Sequence, residues 1–95
     1  MVMLKITTVK TDRRCRIVVE GELVSLGVGE LEKEWNETRL SAGGVPLIVD
    51  LRKVTAISQE GKDVLLEMMG EGVRFVCGGV HNRYVLQQLA RKIAL

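Results

Sequence analysis

The hydrophobic pattern near the start of the chain is that of two β-strands. Apolar and polar side chains alternate over residues 4–9 and again over residues 14–20, as they do in strands with one buried face. The polar residues 11–13 between these runs favour a tight reversal of the chain. The two strands are therefore expected to form an antiparallel hairpin.

Three later segments have apolar positions at helical spacing. The first is expected to begin after Ser25 as N-cap and to end in residues 41–44, which include two glycines. The second begins at Ser58 and ends at Gly70, and the third has Asn82 as its expected cap. The apolar faces of the three predicted helices are, in order, Val28, Leu31 and Trp35; Val64, Leu65 and Met68; and Val85, Leu86, Leu89, Ala90 and Ile93.

Two short apolar strands alternate with these helices. Residues 47–50 are an apolar run that closes on Asp50, and a short loop is expected between Asp50 and Ser58. Residues 73–77 form the other run. The resulting order, β-β-α-β-α-β-α, predicts a mixed, mostly parallel sheet with helices packed on it. Residues 1–95 are short enough to be a single α/β domain.

Composition narrows the class of protein. The net charge of +2 and the three aromatic residues do not suit a nucleic-acid-binding surface, which usually combines a basic stripe with stacking rings. Cys15 and Cys77 lack metal-ligand spacing, so reduced thiols in a cytoplasmic protein are expected. The first five residues are too short for a signal-peptide core, and no apolar run is long enough to span a membrane.

Residue types that carry catalysis are sparse. His81 is the only histidine, and no acid or nucleophile lies at a recognisable spacing from it. Asp50 could accept a phosphoryl group, but the further carboxylates that such a site needs are missing from the sequence. We therefore expect neither an enzyme nor a metal or cofactor site.

A family resemblance lies in residues 47–61, which read LIVDLRKVTAISQEG. This segment resembles the signature of STAS domains, the family of anti-sigma-factor antagonists and of sulfate-transporter tails. The family's Asp-Ser-Ser triplet is replaced here by Ser58, Gln59 and Glu60. The positions that match the signature are Asp50, Leu51, Val54, Thr55, Ile57 and Gly61.

The same resemblance extends to an earlier segment and implies a binding surface. Gly21, Glu22 and Leu23 resemble the family's Gly-x-Leu-Asp, with Val24 in place of the acidic residue. In the family, the second serine of the triplet is phosphorylated by the partner kinase, and Glu60 occupies that position here. The implied partner-binding residues are Ser58, Gln59, Glu60, Gly61, Thr55, Glu22 and Val24.

The resemblance implies a cytoplasmic, non-catalytic bacterial regulator that binds an anti-sigma factor or another kinase-type protein and is not switched by phosphorylation at the usual site. Glu60 is either a fixed mimic of the phosphorylated state, or a contact for a basic pocket, or simply a good helix-start residue. Ser58 and Thr55 keep phosphorylatable hydroxyls, and Ser58 fits the role of N-cap. The alternative function is a STAS-like sensor of a nucleotide or a lipid, which would bind at the same helix N-terminus. The oligomeric state stays open between monomer and weak dimer.

Overall fold

The computed structural model describes residues 4–41, 44–78 and 80–94 and contains four strands and three helices in this part of the chain. Their order is β-β-α-β-α-β-α, as the sequence predicts. The elements are β1 (Leu4–Lys10), β2 (Cys15–Leu23), α1 (Leu26–Ser41), β3 (Leu47–Ile57), α2 (Gln59–Gly70), β4 (Arg74–Val76) and α3 (Val80–Ala94).

The strands form one mixed sheet in the order β1-β2-β3-β4. β1 pairs with β2 in antiparallel orientation, and β3 pairs in parallel with both β2 and β4. The hairpin turn is closed by Thr11, whose backbone N–H donates to the carbonyl oxygen of Arg14 at 2.9 Å. The predicted α/β class and the mostly parallel sheet are thus confirmed.

A single aliphatic core lies between one face of the sheet and the three helices. Ile17, Val19, Val49 and Leu51 supply the sheet side of this core, and each is fully buried. The helix side comes from the predicted apolar faces, namely Val28, Leu31, Trp35, Val64, Leu65, Met68, Val85, Leu86 and Leu89. Ala90 is exposed, so its expected place in the core was wrong, and the side chain of Ile93 lies outside the described residues.

The opposite face of the sheet, called here the outer face, packs on none of the described helices. Val18, Ile48 and Val76 are half-buried on it and do not belong to the core cluster. The strand register places Val18 beside Asp50 and Asp50 beside Val76. The domain therefore has two layers, with the helices on one side only.

β3 is longer than the sequence suggested. The expected loop between Asp50 and Ser58 is wrong, because β3 continues through Ile57 and Asp50 lies inside it. The pairing with β2 shifts register twice, and each shift adds one residue to β3. Such bulges interrupt the regular alternation of side chains, which made the second half of the strand look like a loop.

Two predicted helix caps and one strand length also differ. Ser25 has a φ of 46°, in the left-handed region, so it does not have the extended backbone of an N-cap residue. α3 begins at Val80, which places Asn82 inside the helix instead of at its cap. β4 has three residues, fewer than the expected 73–77. The predicted glycine end of α1 falls partly on residues 42–43, outside the described residues.

Both cysteines are free thiols, Cys15 buried and Cys77 half-buried. Within the described ranges, no helix has the length and apolar character needed to cross a membrane.

Candidate functional site

The predicted partner-binding residues converge where β2 and β3 end and α2 begins. The backbone N–H of Ser58 donates to the carbonyl oxygen of Leu23 at 3.0 Å. The strand register pairs Leu23 with Ile57 and Glu22 with Ala56. Because β2 and β3 are parallel, their carboxyl ends meet at one edge of the sheet, where α/β domains commonly bind ligands. We call residues 22–24 and 55–61 the strand-end surface.

Ser58 is the N-cap of α2, as predicted. Its backbone is extended, with φ −77° and ψ 173°, and its Oγ accepts a hydrogen bond from the backbone N–H of Gly61 at 3.1 Å. This bond satisfies one of the amide groups that a helix start leaves without a partner. The cap fixes the direction in which the first turn of α2 leaves the sheet.

Gly61 is the position where α2 touches the end of β2. A Cβ atom there would lie 2.9 Å from the carbonyl oxygen of Leu23 and 3.1 Å from Cγ2 of Ile57. The contact with Leu23 cannot be relieved by rotating a side chain, since its carbonyl oxygen belongs to the backbone. The match of Gly61 to the STAS-like signature therefore has a steric reason in this fold.

Glu60 and Gln59 point into solvent from the first turn of α2. Both are exposed, and the Nε2 group of Gln59 donates to Oδ1 of Asp63 at 3.1 Å. The carboxylate of Glu60 makes neither a hydrogen bond nor an ion pair with the described residues. It sits at the positive end of the helix dipole, which favours a carboxylate by about 0.3–1 kcal/mol.

The remaining predicted residues border this helix start. Glu22 and Val24 are half-buried and flank Leu23 on either side. Thr55 is exposed and is the extra residue of the second bulge in β3, between the Gly21–Val54 and Glu22–Ala56 pairs. The structure thus brings the seven predicted residues to one edge of the sheet, where Gly61 is buried against Leu23 and its neighbour Glu60 is exposed.

A charged cluster on the outer face was missed by the sequence reasoning. Asp50 is 3% exposed and accepts hydrogen bonds from Nε and Nη2 of Arg52, the shorter at 2.7 Å, and from the Arg52 backbone N–H at 3.0 Å. Nη1 of Arg16 lies 3.9 Å from the same carboxylate. The spacing of Asp50 and Arg52 two positions apart is the sequence signal that could have revealed the pair, since such residues share one face of a strand.

The hydrogen bonds from Arg52 lower the pKa of Asp50 below its ordinary value, against the opposing effect of burial. The same contact raises the pKa of Arg52. The bonds from Arg52 therefore keep the buried Asp50 carboxylate ionised within β3, and the 3.9 Å approach of Arg16 is the contact that links it to β2. No group of three or more potential metal ligands occurs among the described side chains, and the side chain of His81 is not among them.

A shallow apolar groove of about 500 Å³ lies between α2, β4 and α3, at the end of α2 far from Ser58. Its walls include Met69, Phe75 and Leu86, with the exposed Arg83 at its rim.

No protein-family model matches the chain, and a search of curated proteins finds no match either.

Proposed function

We propose that this chain is a STAS-like regulatory domain that binds another protein through the strand-end surface. The partner is an anti-sigma factor or another kinase-type regulator of a bacterial cytoplasm, and the domain itself performs no catalysis. The observation that carries the proposal is the exposed carboxylate of Glu60, which pairs with none of the described residues and lies on a helix start held in place by Ser58 and Gly61. The element order supports the resemblance on which the partner class rests.

The rigidity of the strand-end surface supports a role in binding. The Ser58 cap and the Ser58–Leu23 hydrogen bond tie the first turn of α2 to both parallel strands. A surface that is already ordered loses little conformational entropy when a partner docks. Glu22, Val24 and Thr55 extend this surface beyond the helix and offer one acid, one apolar group and one hydroxyl.

The permanent charge of Glu60 determines whether partner binding at this surface can be controlled by phosphorylation. A phosphorylated serine carries about −1.5 to −2 charges at neutral pH, whereas a glutamate carries one permanent charge. Glu60 therefore either keeps the domain in a state equivalent to the phosphorylated one or contacts a basic pocket directly. In both cases partner binding cannot be switched by phosphorylation at this position, because a glutamate has no hydroxyl group to modify.

The test is affinity capture from lysate of the source organism with four baits that differ at single residues. They are the wild type, Glu60→Ser, Glu60→Lys and the matched control Glu67→Lys. The control makes the same charge change on an exposed position of the same helix, seven residues further along. Captured proteins are identified by mass spectrometry, and the affinity of each bait for the purified partner is then measured by calorimetry.

Two results would support the proposal. Retention of a kinase-type regulator by Glu60→Ser alone would show a switch held in its released state. Retention by the wild type and by Glu67→Lys, with loss in Glu60→Lys, would show that Glu60 is itself a contact. A partner held equally by all four baits, or by none, would contradict the proposal.

A ligand-sensing function is the second candidate, and the apolar groove beside Phe75 favours it. A ligand with an alkyl chain and an anionic head could place the chain along Met69 and Leu86 and the head near Arg83. A fatty acid should then raise the melting temperature of the wild type, but not that of Ala90→Phe, which narrows the groove. ATP and GTP, tested in parallel, would distinguish a nucleotide site from a lipid site.

A further inference from the structure

The outward side of α1 carries the two most exposed large apolar side chains described in the structure. Leu26 is 90% exposed and Leu40 is 85% exposed, compared with 58% for Tyr84 and 50% for Val9. Both leucines lie on the side of the helix opposite to its buried residues, as the helical repeat of 100° per residue requires. Neither leucine is covered by the described residues of its own chain.

Three charged residues lie between these leucines on the same side. Glu30, Lys33 and Glu37 are exposed and make no hydrogen bond or ion pair with any described residue. Glu34, on the flank of the helix, differs in that it accepts a hydrogen bond from Thr8 of β1. We call Leu26, Gly29, Glu30, Lys33, Glu37 and Leu40 the α1 stripe.

The α1 stripe is close to symmetric about Lys33. Leu26 and Leu40 each lie seven positions from Lys33, while Glu30 precedes it by three and Glu37 follows it by four. If two copies of α1 pack antiparallel, Leu26 of one copy meets Leu40 of the other. In this register Lys33 of each copy faces Lys33 of the other at the twofold axis, and the Glu30 and Glu37 side chains of the opposite helix lie about one turn to either side, where each lysine can reach a glutamate. A surface that complements itself under a twofold rotation is what an isologous dimer requires.

Gly29 favours this packing sterically. A Cβ atom at Gly29 would touch nothing within 4 Å, so the glycine leaves open space on the exposed surface. Small residues at a helix crossing let the two axes approach to the lower end of the usual range of about 8–10 Å.

We propose that the chain forms a twofold-symmetric homodimer through antiparallel pairing of the α1 stripe. A contact between two helices of four to five turns is smaller than the interfaces of stable dimers, which bury roughly 1,200–2,000 Å². The dimer is therefore weak and reversible. The evidence for the dimer comes from the exposed residues of α1, so this proposal does not depend on the proposed partner of the strand-end surface.

The test is sedimentation equilibrium of the full chain over a range of roughly 10 µM to 1 mM, where weak dimers dissociate measurably. The wild type should approach twice the monomer mass at the upper end. The double variant Leu26→Glu, Leu40→Glu should weaken the dimer by at least about tenfold, because two buried leucine contacts are replaced by repelling charges. Tyr84→Glu, which removes an exposed apolar side chain from α3, is the matched control and should dimerise as the wild type does.

A charge exchange tests the same geometry without touching the leucines. Lys33→Glu should weaken the dimer, since all three charges of the α1 stripe become negative. Adding Glu30→Lys and Glu37→Lys to that variant should restore dimerisation, because every ion pair is then formed with reversed signs.

Three results would overturn the proposal. The wild type could stay monomeric at the highest concentration, or the leucine variant could dimerise as strongly as the wild type, as it would if the β1 edges paired instead. The charge-exchanged triple variant could also remain as weak as Lys33→Glu. All substituted positions are exposed, and unchanged circular dichroism spectra should show that the variants fold.

Discussion

At the scale of single residues, Ser58 stabilises the fold whatever its part in binding. Its Oγ accepts the Gly61 N–H, and loss of such a cap typically costs about 1 kcal/mol. Ser58→Ala should therefore lower the free energy of unfolding by about that amount, measured by urea denaturation. Ser25→Ala is the control, because Ser25 is exposed and its side chain makes no hydrogen bond with the described residues. Equal effects of the two substitutions would argue against the cap.

Gly61 and Gly70 should respond in opposite ways to alanine, although both belong to α2. At Gly61 the added Cβ would lie 2.9 Å from the Leu23 carbonyl oxygen, so we expect a loss of about 1–3 kcal/mol from the resulting overpacking. At Gly70 a Cβ meets nothing within 4 Å, and the higher helix propensity of alanine should add up to about 1 kcal/mol. Thermal melts of the two variants would measure the difference, and a stabilised Gly61→Ala would contradict the tight contact between α2 and β2.

At the scale of elements, the acid sensitivity of the central strand should depend on Asp50. Arg52 holds the folded-state pKa of Asp50 below 3.8, the ordinary value that applies in the unfolded chain. The unfolded state therefore binds the proton more readily, and the stabilisation by ionised Asp50 is complete above that ordinary value. It is lost as pH falls through the lower folded-state pKa.

We expect the wild type to exceed Asp50→Asn in unfolding free energy at neutral pH, with the difference shrinking progressively as pH falls through 3.8 and on through the lower folded-state pKa. Denaturation curves at a series of pH values would measure it. Asp12→Asn, an exposed turn residue, should keep the pH dependence of the wild type. A constant gap between wild type and Asp50→Asn across the acid range would show that the Arg52 contact does not favour the ionised carboxyl.

β3 contains one part that could be predicted from the sequence and one part that could not. Residues 47–49 are predicted as a strand because they form a short apolar run that includes two β-branched residues and follows Pro46. The residues after Asp50 are not, since the bulges place Arg52 and Lys53 consecutively in solvent before Val54 returns to the core. Bulges depend on how two strands pair, so no local pattern in β3 could reveal them. The Asp50–Arg52 bond was missed because the segment after Asp50 was expected to be a loop, although the spacing of two positions would place both side chains on one face of a strand.

At the scale of the whole molecule, the order of elements and most of the core followed from hydrophobic spacing. Leu31 and Leu65 lie at helical spacing from other apolar residues, and both are fully buried. The place where Ser58 caps α2 was also predictable, because serine before a helical pattern has a direct physical role. The meeting of Leu23 with Ser58 was not predictable from spacing, since it depends on parallel pairing of distant segments. The α1 stripe likewise became visible only once exposure was known.

The mixed strand order also bears on the sequence of events during folding. The antiparallel hairpin joins Lys10 to Cys15, five positions apart, whereas the parallel ladder joins Cys15 to Leu47, 32 positions apart. Hairpins form within about 1–10 µs. Closing a longer loop lowers the chain entropy more, and this loss precedes the formation of the stabilising contacts. The β1–β2 hairpin can therefore assemble early, and the docking of β3 beside β2, with α1 folded between them, should limit the refolding rate.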